Sequence, residues 1–465
     1  MSEEKAGFAY FKQVAIGSLS GLLAVVLFVL VFSLGGGAKP APGPSNSQSA
    51  SASQSPTPSV TPTDGRTCSV NDLATDKLLG TFSGVVVNAA TKEVLFDRNS
   101  TVGVAPASTL KLFTAAAALQ TLGPNYVVDT KVFSDPANPG TIILVGGGDP
   151  TLSATAPGKQ SVYANAPKLS DLAIKVNIWA KANNVTINKI ILDSTLFAGG
   201  TQASKWDPSW PATELTLGYQ SQVTALQVDG DRANPSAETS PRSQTPVLNA
   251  GRKFKVALGA SAAHASIVEG MTPGNAVEVA KVSSQTIDKW IKHMLLVSDN
   301  TEAEYLARLV AIKLGYDGSL GSIQLAIKKS LASTNIDLSK VVIKDGSGES
   351  PNNSIAPATQ TDLLALILGG FGDFNVINQG LPISHESGSL SSRFGGKNLD
   401  AAGKVRAKTG WIDHGYALSG IIQAKDGTNL LFAVFAEGNV KDTAKDAIDN
   451  LVTGFYRCGN TLSNQ

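Results

Sequence analysis

The chain has 465 residues, 42% of them hydrophobic and 16% charged. That length allows about two to four domains, and the apolar content suffices for a buried core, which excludes wholesale disorder. Lys and Arg total 38 against 37 Asp and Glu, a net charge of +1, so no basic field for nucleic acid exists.

No charged residue occurs between Gln13 and Ala38, and Val14–Leu34 is almost continuously apolar. About 20 helical residues cross a ~30 Å hydrocarbon core, so residues 1–37 are read as a cytoplasmic tip and an uncleaved transmembrane helix. Lys5 and Lys12 before it favour a cytoplasmic N-terminus, which puts the rest of the chain outside the cytoplasmic membrane. The alternative is a cleaved signal peptide and a secreted chain. Signal peptides carry a shorter apolar run of about 7–15 residues and an A-x-A-like site, whereas this run ends in Gly35-Gly36-Gly37. Residues 38–66 hold six prolines, many Ser and Thr, and one large apolar residue, Val60. Such a segment buries too little to offset its ordering entropy and reads as a disordered linker.

Cys68 opens the globular region and Cys458 nearly closes it. In an exported chain an even pair favours a disulfide, against two separate buried thiols; a bridge would tie the two ends of the fold together. Strand signals follow at Thr81–Asn88 and Lys92–Asp97, joined by the turn-like Ala89-Ala90-Thr91. Ser108–Leu122 predicts a helix, with Leu112, Ala115, Ala116, Leu119 and Leu122 on one stripe and Gly123-Pro124 as its stop. Over residues 126–275 the pattern changes. Short strand-like runs (Thr141–Val145, Lys189–Leu192, Lys253–Leu258) alternate with Gly, Pro, Asn and Ser, as in an inserted domain. Helices are predicted at Ile287–Leu296 and Thr301–Leu314, the second opened by a Thr301/Glu304 capping box. Strands return at Val405–Gly410, Tyr416–Ala424 and Leu430–Ala436, with Asp426-Gly427 as a hairpin signal. A last helix carries Ala447, Ile448, Leu451, Val452 and Phe455 at helical spacing. Five strands from the two ends would make one antiparallel sheet, so residues 67–125 and 276–465 are expected to form one domain around the insertion.

Three short motifs carry chemistry. Ser108 and Lys111 lie three apart at a helix N-terminus, on one face. A serine hydroxyl becomes a nucleophile when a base takes its proton, and a lysine with a lowered pKa can be that base. Ser298-Asp299-Asn300 lies between two helices; its polar tips suit a proton relay and an amide contact, although such residues also serve as helix caps. Lys408-Thr409-Gly410 ends a strand, where the lysine suits a carboxylate and the glycine a closely approaching substrate, or the lysine merely guards a sheet edge. Each motif alone is weak. S-x-x-K, S-D-N and K-T-G in this order form the signature of penicillin-binding proteins and related β-lactamases.

The surrounding sequence resembles the D-alanyl-D-alanine carboxypeptidase/endopeptidase family, the low-molecular-mass class C penicillin-binding proteins. The resemblance runs from about Leu79 to Phe455. It includes PASTLK, GGGDPTL at Gly146–Leu152, ILDSTLF at Ile191–Phe197 and SDNTEAE at Ser298–Glu304. It continues with DGSG at Asp345–Gly348, SGSLSSRF at Ser387–Phe394, AKTG at Ala407–Gly410 and ALSG at Ala417–Gly420. It implies a β-lactamase/transpeptidase-like α+β fold: a five-stranded antiparallel sheet flanked by helices, with a large inserted domain. It implies that Ser108 forms the acyl-enzyme, Lys111 is the acylation base, and Ser298 and Asn300 relay a proton and hold the substrate amide. Lys408 and Thr409 would fix the terminal carboxylate, Gly410 would be a further substrate-binding residue, and the backbone N–H groups of Ser108 and Trp411 would form the oxyanion hole. The implied partners are peptidoglycan peptides and β-lactam antibiotics.

Two positions depart from the family pattern. Trp411 stands where a Thr is usual after K-T-G, and Glu349-Ser350-Pro351 follows D-G-S-G where a Leu and a basic residue are usual. A β-lactamase of the same fold is the near alternative; a non-catalytic, membrane-tethered wall-binding protein is the distant one. No cofactor is implied. The four histidines (His264, His293, His385, His414) are far apart and no C-x-x-C or H-E-x-x-H occurs, so no metal site is expected.

Overall fold

A computed structural model describes residues 65–200 and 205–465. The predicted membrane helix and nearly all of the predicted linker lie outside the described residues. Among the described residues no helix is long and apolar enough to cross a membrane.

The first sheet is drawn from both ends of the chain. Its strands are β1 (Thr81–Asn88), β2 (Val94–Arg98), β8 (Val405–Ile412), β9 (Gly415–Gln423) and β10 (Asn429–Glu437). They run antiparallel in the order β2-β1-β10-β9-β8. The near-continuous apolar run of β10 has a physical reason: this central strand is covered on both faces. Leu430, Phe432, Val434 and Ala436 pack with Ile448, Leu451, Val452 and Phe455 of the helix Ala444–Cys458. Leu431 joins the helical core on the other face, which contains Leu363 and Leu364 of the helix Pro357–Leu368. Asp426-Gly427 makes the β9–β10 turn, with Gly427 at φ +86°.

Cys68 and Cys458 form a disulfide with Cα atoms 5.4 Å apart and 390 residues between them in sequence. Closing so long a loop restricts the unfolded chain, by about 6 kcal/mol on the chain-entropy account, above the ~2–4 kcal/mol typical of disulfides.

A second five-stranded sheet occupies the middle of the chain. Its order is β6 (Ser266–Glu269), β5 (Lys189–Asp193), β4 (Thr141–Val145), β3 (Asp129–Ser134) and β7 (Val277–Ser283). β4, β5 and β6 are parallel, whereas β3 pairs antiparallel with β4 and β7. Parallel neighbours need crossovers, and the helices Leu169–Ala182 and Pro246–Leu258 supply them. Their buried faces meet in a core with Val132, Ile142 and Leu192. The last strand of this sheet lies beyond residue 275.

Two local expectations are corrected. Lys253–Leu258 is no strand; it is the end of the helix Pro246–Leu258, whose buried Val247, Ala250, Gly251, Phe254 and Leu258 follow a helical period. The helix predicted at Thr301–Leu314 spans Asn300–Lys313 and is capped by Asp299, whose side chain accepts from the Glu302 N–H. Asp299 replaces Thr301 as the cap because its carboxylate reaches the amide three residues on.

Candidate active site

The nucleophile segment is built by close packing. Pro106 leads into a tight turn, Ala107–Leu110, which continues as the helix Lys111–Thr121. That helix is buried on nearly every side, its Leu112, Phe113 and Ala115–Ala118 sitting in the main helical core. Ala107, just before Ser108, is held at φ +46°, and Ser298 at φ +67°. Left-handed conformations at non-glycine residues cost of order 1–3 kcal/mol and persist where surrounding contacts impose them. Gly348 presses on this segment: a Cβ there would lie 1.9 Å from the Ala107 carbonyl oxygen, so only glycine fits. Gly410 does the same from β8, where a Cβ would stand 3.0 Å from both Ala107 Cβ and Pro106 O. Its missing side chain therefore admits the nucleophile segment.

Lys111 is the hub. Its Nζ lies 2.8 Å from Ser108 Oγ, 2.6 Å from Asn300 Oδ1 and 2.8 Å from the Ser347 carbonyl oxygen. Three acceptors satisfy an ammonium. A neutral amine donates two hydrogens, to Asn300 and Ser347, and turns its lone pair on Ser108. Burial pushes the Lys111 pKa down to about 8, while the charges of Glu349, Asp345, Glu304 and Asp299 act to raise it. Ser347 belongs to a turn fixed from two sides. Glu304 accepts from the Gly346 and Ser347 N–H groups at 2.9 and 2.7 Å. Asp345 accepts from Gly348 N, Ser350 N and the Trp210 indole at 2.8, 2.6 and 2.8 Å.

Lys408, on β8, is fully buried. Its Nζ donates to Ser298 Oγ at 2.7 Å and to the Thr409 carbonyl at 2.8 Å. Burial, and then the Lys111 charge, hold its pKa well below that of an ordinary lysine. It has no carboxylate partner among the described residues. Thr409 Oγ1 lies 2.8 Å from Ser389 Oγ.

A cavity of about 780 Å3 opens over these groups, lined by Ser108, Ser298, Asn300, Thr409, Gly410 and Trp411 among others. The structure thus brings six of the eight predicted chemical residues onto its wall and sets Lys111 and Lys408 behind them. Trp411 remains 45% exposed, its ring edge-on to Tyr219 with centroids 6.3 Å apart. Sequence reasoning did not assign Tyr219, Ser389 or Glu349 to the site. The pattern offered a signal for two: Ser389 lies in SGSLSSRF, and Glu349 breaks the D-G-S-G context. Nothing local marked Tyr219.

The middle residue of the S-D-N motif serves the scaffold. Asp299 Oδ2 accepts from Arg232 Nη2 at 2.7 Å, and Arg232 Nη1 also donates to Tyr163 Oη at 2.7 Å. Burial opposes charge on Asp299, but Arg232 and His293 outweigh it and hold the carboxyl well below its usual range. His293, Asp299 and Glu302 bring possible metal-ligand atoms within 4.8 Å of one another. Arg232 already neutralises Asp299, and Glu302 Oε2 lies 2.7 Å from His293 Nδ1. The cluster is a balanced ion-pair network, and a cation would have to displace a guanidinium from it.

A model of the D-Ala-D-Ala carboxypeptidase 3 (S13) family matches residues 67–242 and 232–456. A carboxypeptidase of Mycobacterium tuberculosis is 33% identical over 405 residues, 85% of each chain. Carboxypeptidase DacB of Mycolicibacterium smegmatis is 33% identical over 385 residues, 82% of this chain and 81% of that one. In fold, the chain is similar to penicillin binding protein 4 of Haemophilus influenzae, with a TM-score of 0.67 at 20% identity, covering 83% of this chain and 98% of that one. The family match runs through both parts of the chain that build the cleft, and the protein belongs to the D-Ala-D-Ala carboxypeptidase 3 (S13) family.

Proposed function

We propose that this penicillin-binding D-Ala-D-Ala carboxypeptidase/endopeptidase, a serine-type hydrolase of peptidoglycan, works through an acyl-enzyme on Ser108. Neutral Lys111 takes the Ser108 proton as Oγ bonds to the peptide carbonyl carbon. The backbone N–H groups of Ser108 and Trp411 hold the oxyanion. As the C–N bond breaks, Lys111 gives the proton up to the departing amine; Ser298, which Lys408 holds and which does not touch Lys111, relays it once the bound substrate bridges the two. Asn300 has two N–H hydrogens on Nδ2, one directed at Glu349 and one left for a substrate carbonyl. Lys408 acts at one remove: it holds the Ser298 hydroxyl, and a terminal carboxylate arriving beside Ser298 and Thr409 would favour its protonated form against the burial that opposes it. Water then cleaves the Oγ–acyl bond and returns the proton to Ser108.

The contact of Lys111 Nζ with Ser108 Oγ, completed by Asn300 and Ser347, carries this reading. Labelling with a fluorescent penicillin, followed over time and mapped by mass spectrometry, tests it. A lasting adduct on Ser108 supports it; rapid loss of label marks a β-lactamase, and no label a non-catalytic protein.

Trp411 sets the substrate preference. Tryptophan keeps the backbone N–H but lacks the hydroxyl that a Thr would offer a carboxylate, and its exposed ring narrows the cleft beside Tyr219. A hydrogen bond to a charged group is worth roughly 1.5–3 kcal/mol, about 10- to 150-fold in rate. Small D-Ala-D-Ala peptides should therefore be poor substrates relative to larger crosslinked ones. Trp411→Thr should raise kcat/KM on the small substrate more than on the crosslinked one; equal effects on both would remove Trp411 as the selectivity element.

The apolar run at Val14–Leu34 supports a single-pass anchor in the cytoplasmic membrane, with the cleft on the outer side and residues 38–66 spanning towards the wall. Cell fractionation that finds a shortened chain in the medium would replace the anchor with a cleaved signal.

A further inference from the structure

Glu349 follows Gly348 in the turn that touches Lys111, and it lines the same cavity as Ser108 and Asn300. Its Oε2 accepts from Asn300 Nδ2 at 3.1 Å, while Oδ1 of the same amide accepts from Lys111 Nζ at 2.6 Å. An amide has one acceptor end and one donor end. An acceptor at Glu349 therefore decides which end of Asn300 faces Lys111. We infer that Glu349 is a positioning residue of the acylation step: its carboxylate orients the Asn300 amide towards Lys111, and its negative charge holds the proton on Lys111. This rests on the reading of Lys111 as the base.

The charged surroundings agree. Burial pushes the Glu349 pKa up to about 7; Lys111 acts to lower it, and Asp345 and Asp413 to raise it. Glu214 also faces it across the cavity, with its own pKa pushed up to about 7 by burial and then by Glu349 and Asp413. Among the described residues, Lys111 is the cation whose charge acts most on Glu349, alongside the carboxylates of Asp345, Asp413 and Glu214. Glu349 is in turn the first of the charges that keep Lys111 protonated against its burial.

The sign follows. Acylation needs neutral Lys111, so its rate rises with pH through the Lys111 pKa. Glu349→Gln keeps an acceptor for Asn300 but removes the charge, so Lys111 loses its proton more readily and the acid limb moves to lower pH. Glu349→Leu removes charge and acceptor together.

The test is the second-order rate constant of acylation by benzylpenicillin from pH 5 to 10 for wild type, E349Q and E349L. E349Q should acylate faster than wild type between about pH 7 and 8, where Glu349 carries its charge, by up to about tenfold for each pH unit the limb moves, and the two should converge towards pH 5, where Glu349 is neutral in wild type as well. E349L should show the same displaced limb with a plateau lowered by about five- to tenfold, from the disoriented amide. A limb that stays in place in E349Q, or a uniform loss at every pH in both variants, overturns the inference. Failure of wild type to be acylated at all overturns the Ser108 reading instead, and this inference with it.

Discussion

Ser108→Ala should abolish both penicillin labelling and peptide cleavage while the protein stays folded. The side chain lost is one hydroxyl at the mouth of a cavity, and the rest of the segment is held elsewhere. Leu110, Leu112 and Phe113 are buried, and Ala107 is clamped by Gly348 and Gly410. No core contact is removed, so a fall in stability beyond a fraction of a kcal/mol is not expected. The chemistry has no substitute: Ser298 Oγ is held by Lys408, and Ser389 Oγ by Thr409, neither within hydrogen-bonding contact of Lys111. Without a nucleophile no acyl-enzyme forms, and the loss should reach the background of the assay. Unchanged thermal unfolding alongside lost labelling is the expected pair of results. An adduct that persists in Ser108→Ala, mapped to another serine, would move the nucleophile.

The sheet built from both ends of the chain was legible because its strands are short, strongly apolar and bounded by turn residues. β10 announces itself by being covered on both faces, which leaves no polar alternation to confuse it. The middle was harder. Over six residues Lys253–Leu258 looks like alternation, and only the longer window from Val247 shows the helical period. The S-D-N motif announced polar groups, but not that Asp299 would be spent on Arg232, 67 residues earlier in the chain. Nor could the sequence place residue 349 beside residue 300. Their meeting depends on the turn at Asp345 being tied to Trp210 and on Gly348 lying against Ala107. Residues within one motif are close by construction, whereas residues that tune a motif come from wherever the packing delivers them. Glu349 was visible as an irregularity and became a member of the site only through its contact with Asn300.

Lys111→Ala should reduce acylation by about 100- to 10,000-fold, the usual worth of a positioned general base, while weaker non-covalent binding of ligand survives. The lysine is fully buried and supplies three hydrogen bonds, so its loss also leaves Asn300 Oδ1 and the Ser347 carbonyl without their donor. Two orphaned acceptors cost about 1–3 kcal/mol each unless water enters, and part of any lost activity could then be structural. The pH profile separates the two contributions. In the wild type the acylation rate should climb through about pH 8, where Lys111 gives up its proton. A variant that merely loosened the site would keep that limb at a lower height. A variant that removed the base should lose the limb, leaving a low rate with at most the shallow dependence of attack assisted by water. Lys111→Gln retains donors for Asn300 and Ser347 but offers no lone pair of comparable basicity. It should therefore recover thermal stability and leave acylation as slow as in Lys111→Ala. Near-wild-type acylation in either variant, or an intact limb at pH 8, would exclude Lys111 as the base and transfer that role to another group in the cleft.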